Sequence, residues 1–355
     1  MDSIEPHIHK KYQNIKRIHT GAYAVTFKAV ETDTNQPVLL KKYFDVFQNQ
    51  TDAQRFYREV MIRHKLEGHP NVVKYIRLHE SENLKDLYLV QETTHTNLHK
   101  LYTSTTLEDH QKVSIIYQIL KGLKYLHSAG VVHRDLRPCA ILVDSDLNPK
   151  IDNFCMARCL ESEGEQAEAV AMTEYTGTRW YRAPEAVLGS NSYSKQIDMW
   201  AVGCLFGELV KGKPVFRGAS TIAQITEIIK LLGKPTTEDL EAMKSTIAGN
   251  IVNVISQERE YSINQSFNFS SENGIDFLRR TLVYIPQERL TVEQALKHPL
   301  FAELHDPENE IASQGVLVLP LPDSEKKEIE VYQGAIMSLI SENDDVQGSS
   351  AELGS

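Results

Sequence analysis

Residues 133–138 read His-Arg-Asp-Leu-Arg-Pro, and they directly follow the β-branched pair Val131 and Val132. A His-Arg-Asp triplet alone is a weak signal. Farther along the chain, residues 178–185 read Thr-Arg-Trp-Tyr-Arg-Ala-Pro-Glu, residues 198–204 read Asp-Met-Trp-Ala-Val-Gly-Cys, and an isolated arginine stands at position 289. Because these motifs follow one another in a fixed order within residues 12–304, chance is a poor explanation for them, and together they decide the fold.

This series of motifs resembles the protein kinases, in which a catalytic loop precedes the end of the activation segment and a buried helix. In that family the aspartate of the catalytic loop accepts or orients the proton of the substrate hydroxyl. The resemblance implies that Asp135 is the catalytic aspartate, that Arg137 replaces the catalytic-loop lysine, and that Arg289 pairs with Glu185. It also implies an α+β, bilobal protein-kinase fold, with a small β-rich N-lobe over 12–94 and a larger helical C-lobe over 95–304.

The residue patterns independently indicate a small β-rich part followed by a larger helical part. The chain has 355 residues, which is long for a single core, and 41% of them are apolar and 24% charged, as is ordinary for globular proteins. Short β-branched and aromatic runs predict strands over 12–43 and 86–91. A helix is predicted over 51–66, with Thr51 as its cap, and the pattern is mostly helical from about residue 107 onward.

Charge and hydropathy exclude several classes of function. The formal net charge of -10 argues against nucleic-acid binding. No apolar run reaches the length of a membrane span, so we expect no insertion into membranes. The four cysteines show no metal-ligand spacing, which favours a reducing intracellular compartment. We expect a cytoplasmic protein, with the nucleus and the cilium as alternatives.

Three further features resemble the MAP kinases. Residues 173–175 read Thr-Glu-Tyr, like the dual-phosphorylation lip of the extracellular-signal-regulated type, so the resemblance implies phosphorylation at Thr173 and Tyr175. Residues 214–246 resemble the start of the MAP-kinase insert, and residues 305–340 resemble the C-terminal extension that wraps back onto the small lobe. Residues 44–55 are most like the atypical extracellular-signal-regulated branch. Residues 341–355 are expected to form a disordered tail.

The nucleotide-handling residues of the family are only partly retained. The resemblance implies that five residues contact nucleotide: Gly21, Lys41, Glu59, Gln91 and Thr93. Glycine lets backbone amides approach phosphates, but only Gly21 remains of the glycine-rich turn, so a hairpin without a ligand is an equal alternative. Lys41 and Glu59 are expected to form an ion pair, the alternative being solvated surface charges. Leu39 stands where the family has alanine and should narrow the slot for the base.

The family's metal ligands are replaced. Its catalytic-loop asparagine is here Ala140, and the aspartate of its Asp-Phe-Gly motif is here Asn153. Mg²⁺ prefers carboxylate oxygen, and strand alternation should point Asp152 away from the site. We therefore expect no Mg²⁺ site, and we expect Asp135 and Arg137 to be vestigial. Arg63 is predicted to lie in an internal stack that is apolar in the family, which requires a partner for its charge.

The switch and docking features are better preserved. Arginines pair well with phosphates, and the resemblance implies six that receive the phosphates of the lip: Arg55, Arg58, Arg134, Arg158, Arg179 and Arg182. These arginines could instead be solvated surface residues that pair with acids. Asp306, Glu308 and Glu310 resemble the acidic docking patch, which would attract basic peptides; an ordinary acidic loop is the alternative.

Two functional classes follow, with a third kept open. The first is a pseudokinase, a phosphorylatable scaffold or allosteric regulator that meets other kinases or signalling proteins through docking motifs and binds ATP weakly or without metal. The second is a weakly active ATP-dependent Ser/Thr kinase of the MAP-kinase type. The third is a sensor whose altered pocket binds another small molecule. Ala140, Asn153 and Leu39 favour the first.

Overall fold

The computed structural model describes residues 4–21, 24–66, 68–160, 167–168, 179–190, 192–323 and 325–352, with side chains as far as Glu342 except in 167–168 and 192–193. The chain divides into two compact units. The small unit comprises Met1–Thr94 and Leu319–Ser355, and the large unit comprises His95–Val318.

The small unit is built on a five-stranded antiparallel sheet with the strand order β1-β2-β3-β5-β4. Its elements up to residue 94 are α1 (Pro6–Lys11), β1 (Tyr12–Thr20), β2 (Ala24–Glu31), β3 (Pro37–Tyr43), α2 (Gln50–Lys65), β4 (Tyr75–Glu80) and β5 (Leu87–Glu92). Alternate residues of β2 are buried, as expected for a strand with one face on a core. That core includes Val25, Phe27, Leu40, Val90 and Ile8 of α1.

Helix α2 begins one residue before the predicted start. Its N-cap is Asn49, whose side chain accepts a hydrogen bond from the backbone amide of Asp52 at 3.0 Å. Asparagine is among the best N-cap residues, because its short side chain reaches a free amide of the first turn. The predicted cap, Thr51, instead lies inside the helix.

The large unit is mostly helical. Its elements are β6 (Thr96–Asn97), α3 (Leu98–Ser104), α4 (Asp109–Ser128), β7 (Val131–Val132), β8 (Ile141–Val143), β9 (Pro149–Ile151), β10 (Arg158–Cys159), β11 (Ala167–Glu168), α5 (Pro184–Val187), β12 (Ser192–Tyr193), α6 (Gln196–Lys211), α7 (Thr221–Leu232), α8 (Thr237–Ala242), α9 (Ala248–Asn253), α10 (Ile263–Ser266), α11 (Glu272–Thr281) and α12 (Val292–Leu296). Helix α6 is apolar on nearly all sides, and residues such as Trp200, Val202 and Phe206 are fully buried. A helix of this kind belongs in the centre of a core.

The last helix, α13 (Ile329–Glu352), belongs to the small unit and packs on α2. The rings of Tyr57 and Tyr332 lie 5.5 Å apart between centroids, and Ile336 and Leu339 are buried. The backbone is helical through residues 341–352, where we predicted a disordered tail. Adding residues to a helix that packing has already nucleated costs little, so the helix continues beyond its buried turns. No described helix has the length and hydropathy needed to cross a bilayer.

Candidate functional site

A buried aspartate of helix α6 fixes the loop that carries Asp135. Asp198 accepts hydrogen bonds from the backbone amides of His133 and Arg134, each at 2.8 Å, and lies 3.0 Å from Nε2 of His127. Burial alone would raise the pKa of Asp198, but the hydrogen bond and charge of His127, with the amide of Arg134, leave that pKa below its usual value. The carboxylate therefore stays ionised and holds the loop in place.

Asp135 is held by two side chains that the family pattern does not have. One carboxylate oxygen, Oδ2, accepts a hydrogen bond from Nδ2 of Asn153 at 3.0 Å and one from Nε of Arg137 at 3.2 Å. The backbone amide of Asp135 also donates to Nδ1 of His133 at 3.2 Å, and Nε2 of His133 lies 2.9 Å from the carbonyl oxygen of Asp152. The aspartate is thus anchored within the large unit.

The two positions that hold Mg²⁺ in the kinase pattern do not supply a matching set of donors. Ala140 is buried and has no polar side-chain atom. Its backbone amide donates to the backbone carbonyl of Arg137, and its carbonyl accepts a hydrogen bond from the backbone amide of Asp152, both at 2.8 Å. Asn153 adopts a left-handed backbone conformation, φ 69°, which asparagine tolerates better than most residues, and its amide nitrogen faces Asp135. The described residues contain no cluster of three or more His, Cys, Asp or Glu suited to a metal.

In the small unit, four of the five predicted nucleotide residues lie on the sheet or directly beside a strand, and Glu59 lies on helix α2. Lys41 stands opposite Thr26 on β2 and Leu89 on β5, and Leu39 stands opposite Gln91. The amide of Gly21 donates to the carbonyl of Ala24 at 2.8 Å, so it is used within the hairpin. The hydroxyl of Thr93 donates to the carbonyl of Thr94 at 3.4 Å.

The ion pair that the structure records for Glu59 is with Arg63, whereas we predicted Lys41 in this role. Nη2 and Nε of Arg63 lie 3.0 and 3.2 Å from Oε1 of Glu59. The hydroxyl of Tyr43 donates to the same oxygen at 3.0 Å, and Nη1 of Arg63 reaches Oε1 of Gln91 at 3.4 Å. The resemblance implied that Arg63 is internal and needs a partner, but not that the partner is Glu59, one helical turn away.

The ion pair that the motif order predicted in the large unit is present. Nη1 and Nη2 of Arg289 lie 2.7 Å from Oε1 and Oε2 of Glu185, respectively. Both side chains are buried, and the guanidinium lies over the ring of Trp200, 5.2 Å from its centroid. This bidentate pair joins the segment that ends at Glu185 to the core of the large unit.

Comparison with known proteins assigns the family. Residues 12–301 match the protein kinase domain. The chain is 40% identical over 336 residues to extracellular signal-regulated kinase 2 of Dictyostelium discoideum, covering 94% of this chain and 91% of that protein. The chain belongs to the MAP-kinase family of protein kinases. It is also 39% identical to mitogen-activated protein kinase 15 of Xenopus laevis and 36% identical to that of Caenorhabditis elegans, and it spans 58% and 73% of those two proteins.

The arginines expected to receive phosphates in a MAP kinase have varied surroundings. The guanidinium of Arg58 forms a 2.6 Å ion pair with Asp323 inside the small unit, and Arg55 lies 3.4 Å from Asp52. Arg134 donates to the carbonyl of Met156 at 3.2 Å.

A pocket of the large unit is lined in part by Arg134, Asp135, Tyr181, Arg182 and Ser190. Arg158 lies on β10, which pairs with β7. The backbone carbonyl of Arg179 accepts a hydrogen bond from the backbone amide of Arg182. Thr173 and Tyr175 lie outside the described residues.

One member of the predicted MAP-kinase docking patch is buried. Only 3% of the Glu310 side chain is exposed, and its carboxylate lies 2.6 Å from Nδ1 of His305, 3.0 Å from the Tyr117 hydroxyl and 3.4 Å from Nζ of Lys124. Asp306 and Glu308 are exposed. The expectation that all three acids attract basic peptides is therefore wrong for Glu310, because its buried carboxylate contacts the imidazole of His305, the hydroxyl of Tyr117 and the ammonium group of Lys124.

The pKa of Glu310 makes this cluster sensitive to acid. Burial raises that pKa, but the hydrogen bonds from His305 and Tyr117 outweigh it and leave the pKa below its usual value. A carboxylate with a lowered folded-state pKa contributes stability above its unfolded pKa of about 4.3, and this contribution is lost as the pH falls through the folded value. We expect Glu310→Gln to lower the free energy of unfolding by about 1–2 kcal/mol at pH 7, and the difference from the unaltered chain to close on acidification below about pH 4.

Urea unfolding at pH 7 and in acid measures this difference. The matched control is Glu308→Gln, which removes an exposed carboxylate of the same patch and should leave the unfolding midpoint unchanged. An equal loss in both variants, or a Glu310→Gln loss that is independent of pH, would contradict the assignment.

Proposed function

We propose that this chain is a MAP-kinase-like pseudokinase, a phosphorylatable scaffold or allosteric regulator in intracellular signalling. The observation that carries the proposal is the contact between Nδ2 of Asn153 and Oδ2 of Asp135, 3.0 Å apart. The amide N–H of Asn153 competes with a substrate hydroxyl for this oxygen of Asp135. At the two metal-binding positions, Asn153 offers a cation only one neutral oxygen and Ala140 offers no side-chain ligand. Mg²⁺ prefers carboxylate oxygens at near-ideal octahedral positions, and these residues do not fit it.

The remaining polar groups of the loop support a structural role for Asp135. Its Oδ2 is shared by the Arg137 guanidinium and the Asn153 amide, so the carboxylate joins the catalytic loop to the start of the following segment. Kinases use a free aspartate at this position to orient a hydroxyl. Here the same group serves as an anchor, which favours a binding protein over a phosphoryl-transfer enzyme.

The switch and the partners are part of the same proposal. Phosphates at Thr173 and Tyr175 would come from another kinase and would attract arginines such as Arg134 and Arg182, which line one pocket of the large unit. Asp306 and Glu308 are the exposed acids that would meet basic docking peptides of signalling proteins. We propose a kinase domain over 12–304, an extension over 305–340 that braces the N-lobe, and residence in the cytoplasm.

The second candidate is a weakly active Ser/Thr kinase that uses ATP. Lys41, Glu59 and Asp135 are retained, and the relatives are named as kinases. An assay against Ser/Thr-Pro peptides, with Asp135→Asn as the matched control, separates the candidates. Phosphorylation that is lost in Asp135→Asn favours the kinase, whereas phosphorylation that the variant retains comes from a contaminant.

Thermal unfolding with ATP, in Mg²⁺ or in chelator, tests the proposal directly. A ligand that binds only the native state raises the melting temperature by mass action. We expect millimolar ATP to raise it by about 2–4 °C, which corresponds to about 1 kcal/mol of binding linkage, and by the same amount with and without Mg²⁺. A shift that needs Mg²⁺ would overturn the proposal in favour of the active kinase, and Lys41→Met is the control for binding at the expected nucleotide residues.

A further inference from the structure

Arg63 is the most deeply buried cation of helix α2. Its side chain is 0% exposed, and that of Glu59 is 3% exposed. A guanidinium taken out of water is costly unless its charge and its N–H groups are matched. Three of its nitrogen atoms have partners: Nε and Nη2 lie 3.2 and 3.0 Å from Glu59, and Nη1 lies 3.4 Å from Gln91.

The two partners of Arg63 lie on different elements of the small unit, one on helix α2 and one on strand β5. Glu59 is one turn before Arg63 on α2, whereas Gln91 is on β5, where it stands opposite Leu39 of β3 and Tyr75 of β4. Gln91 is 0% exposed, so its amide oxygen needs an internal donor. One guanidinium therefore neutralises a carboxylate of the helix and satisfies an amide in the middle of the sheet.

We propose that Arg63 is a positioning residue that serves as the counter-ion of Glu59 in this protein and ties helix α2 to strand β5. The tie lies wholly inside the small unit and needs neither Lys41 nor a bound nucleotide. The hydroxyl of Tyr43, which donates to the same Glu59 oxygen at 3.0 Å, adds a second link, from helix α2 to β3. The place of Glu59 is then set by the folded small unit itself. This inference holds whichever of the two candidate functions is correct.

The test is a pair of double-mutant cycles, read by thermal unfolding of the full chain. The first cycle combines Arg63→Met with Glu59→Gln, and the control cycle combines Lys41→Met with Glu59→Gln. Breaking a buried ion pair on one side leaves an uncompensated charge, so we expect Arg63→Met to lower the melting temperature by about 6–12 °C. The Glu59→Gln change should add little to Arg63→Met, because the charge that was stranded is gone. In the control cycle the two losses should add.

The double variant distinguishes positioning of Glu59 from simple packing by Arg63. The groups hydrogen-bonded to Glu59 among the described residues are Arg63 of its own helix and Tyr43 of β3. Arg63→Met leaves this buried carboxylate without its counter-ion, whereas Arg63→Met/Glu59→Gln has no charge there. If Arg63 is the counter-ion, Glu59→Gln should therefore cost less in the Arg63→Met background than in the unaltered chain, whereas a side chain that only fills space would give equal costs.

If Arg63→Met does not fold, Arg63→Lys provides a milder probe, because it keeps the charge but cannot keep the guanidinium's separate contacts to Glu59 and Gln91. It should recover more than half of the Arg63→Met loss wherever both can be measured. Coupling found in the Lys41 cycle instead of the Arg63 cycle would overturn the proposal. So would equal costs of Glu59→Gln in the unaltered chain and in Arg63→Met.

Discussion

The double substitution Ala140→Asn with Asn153→Asp is expected to raise Mg²⁺-dependent phosphoryl transfer by about a hundredfold or more over the unaltered chain. Metal stabilisation of a transferring phosphoryl group is worth several kcal/mol, and each 1.4 kcal/mol is about tenfold in rate. The two changes supply the oxygen donors that the loop lacks, and they remove the amide N–H that occupies Oδ2 of Asp135. Either change alone should have little effect, since each leaves one donor missing.

A thermal melt with Mg²⁺ alone gives an independent reading of the same variant. A carboxylate at position 153 would stand about where the amide nitrogen lies 3.0 Å from Asp135, and two carboxylates this close repel each other. We expect the double variant to melt lower than the unaltered chain in chelator and to recover in Mg²⁺, which the unaltered chain should not do. Asp135→Asn on the restored background should abolish the gain in transfer. Recovery in Mg²⁺ without transfer would place the remaining defect in the small unit, at Leu39 or the turn that holds Gly21.

The replacement of Arg289 by Met is expected to lower the free energy of unfolding by about 4 kcal/mol, within the range found when one partner of a buried ion pair is removed. The guanidinium makes two 2.7 Å contacts with Glu185. It also donates to the carbonyl oxygens of Val283, Gln196 and Tyr284, at 2.8, 3.2 and 3.1 Å. The substitution therefore strands one carboxylate and three backbone acceptors at once.

Chemical denaturation of Arg289→Met, Arg289→Lys and the double variant Arg289→Met/Glu185→Leu measures how this loss is distributed. Replacing both partners of a buried pair with apolar residues is often neutral, but here the backbone acceptors would remain without a donor. The double variant should therefore recover only part of the loss, and Arg289→Lys should fall between the two. Full recovery in the double variant would mean that the three carbonyls find other partners.

The motifs predicted the fold because each is a local residue pattern with one structural role. Glu185 and Arg289 are 104 residues apart in sequence, yet the resemblance to the kinase motifs implied that they pair. The contact between Arg63 and Glu59 was not predicted, because the sequence gives both Lys41 and Arg63 as candidate cations and only the packed small unit shows that Arg63 reaches Glu59. The prediction that Glu310 belongs to an exposed docking patch was wrong, because in the sequence Glu310 is one acid among several. Its burial depends on contacts with His305, Tyr117 and Lys124, which only the structure shows.

At the two positions that hold metal in the kinase pattern, 140 and 153, the motif specifies the residue type but not the orientation of the side chain. Ala140 and Asn153 were recognisable as departures from the family pattern, because the pattern names the residue type that each position requires. The direction of the Asn153 amide was not recognisable, since it depends on the left-handed backbone at that residue and on the place of Asp135. The sequence therefore predicted that metal-binding side chains are absent at positions 140 and 153. The structure shows in addition that the amide N–H of Asn153 contacts the carboxylate of Asp135.

The small unit is assembled from two stretches of chain that more than 200 residues separate, the first ending at Thr94 and the second beginning at Leu319. The later stretch contributes Asp323 to the Arg58 ion pair and accepts hydrogen bonds from Gln54 at the carbonyls of Asp323 and Glu325. During synthesis, the sheet and helix α2 leave the ribosome long before these partners exist. The large unit can form while the outer face of α2 is still bare. Completion of the small unit then requires a long-range contact between helix α2 and the stretch that begins at Leu319, a slow kind of contact, so the outer face of α2 stays exposed until residues 319–325 have been synthesised.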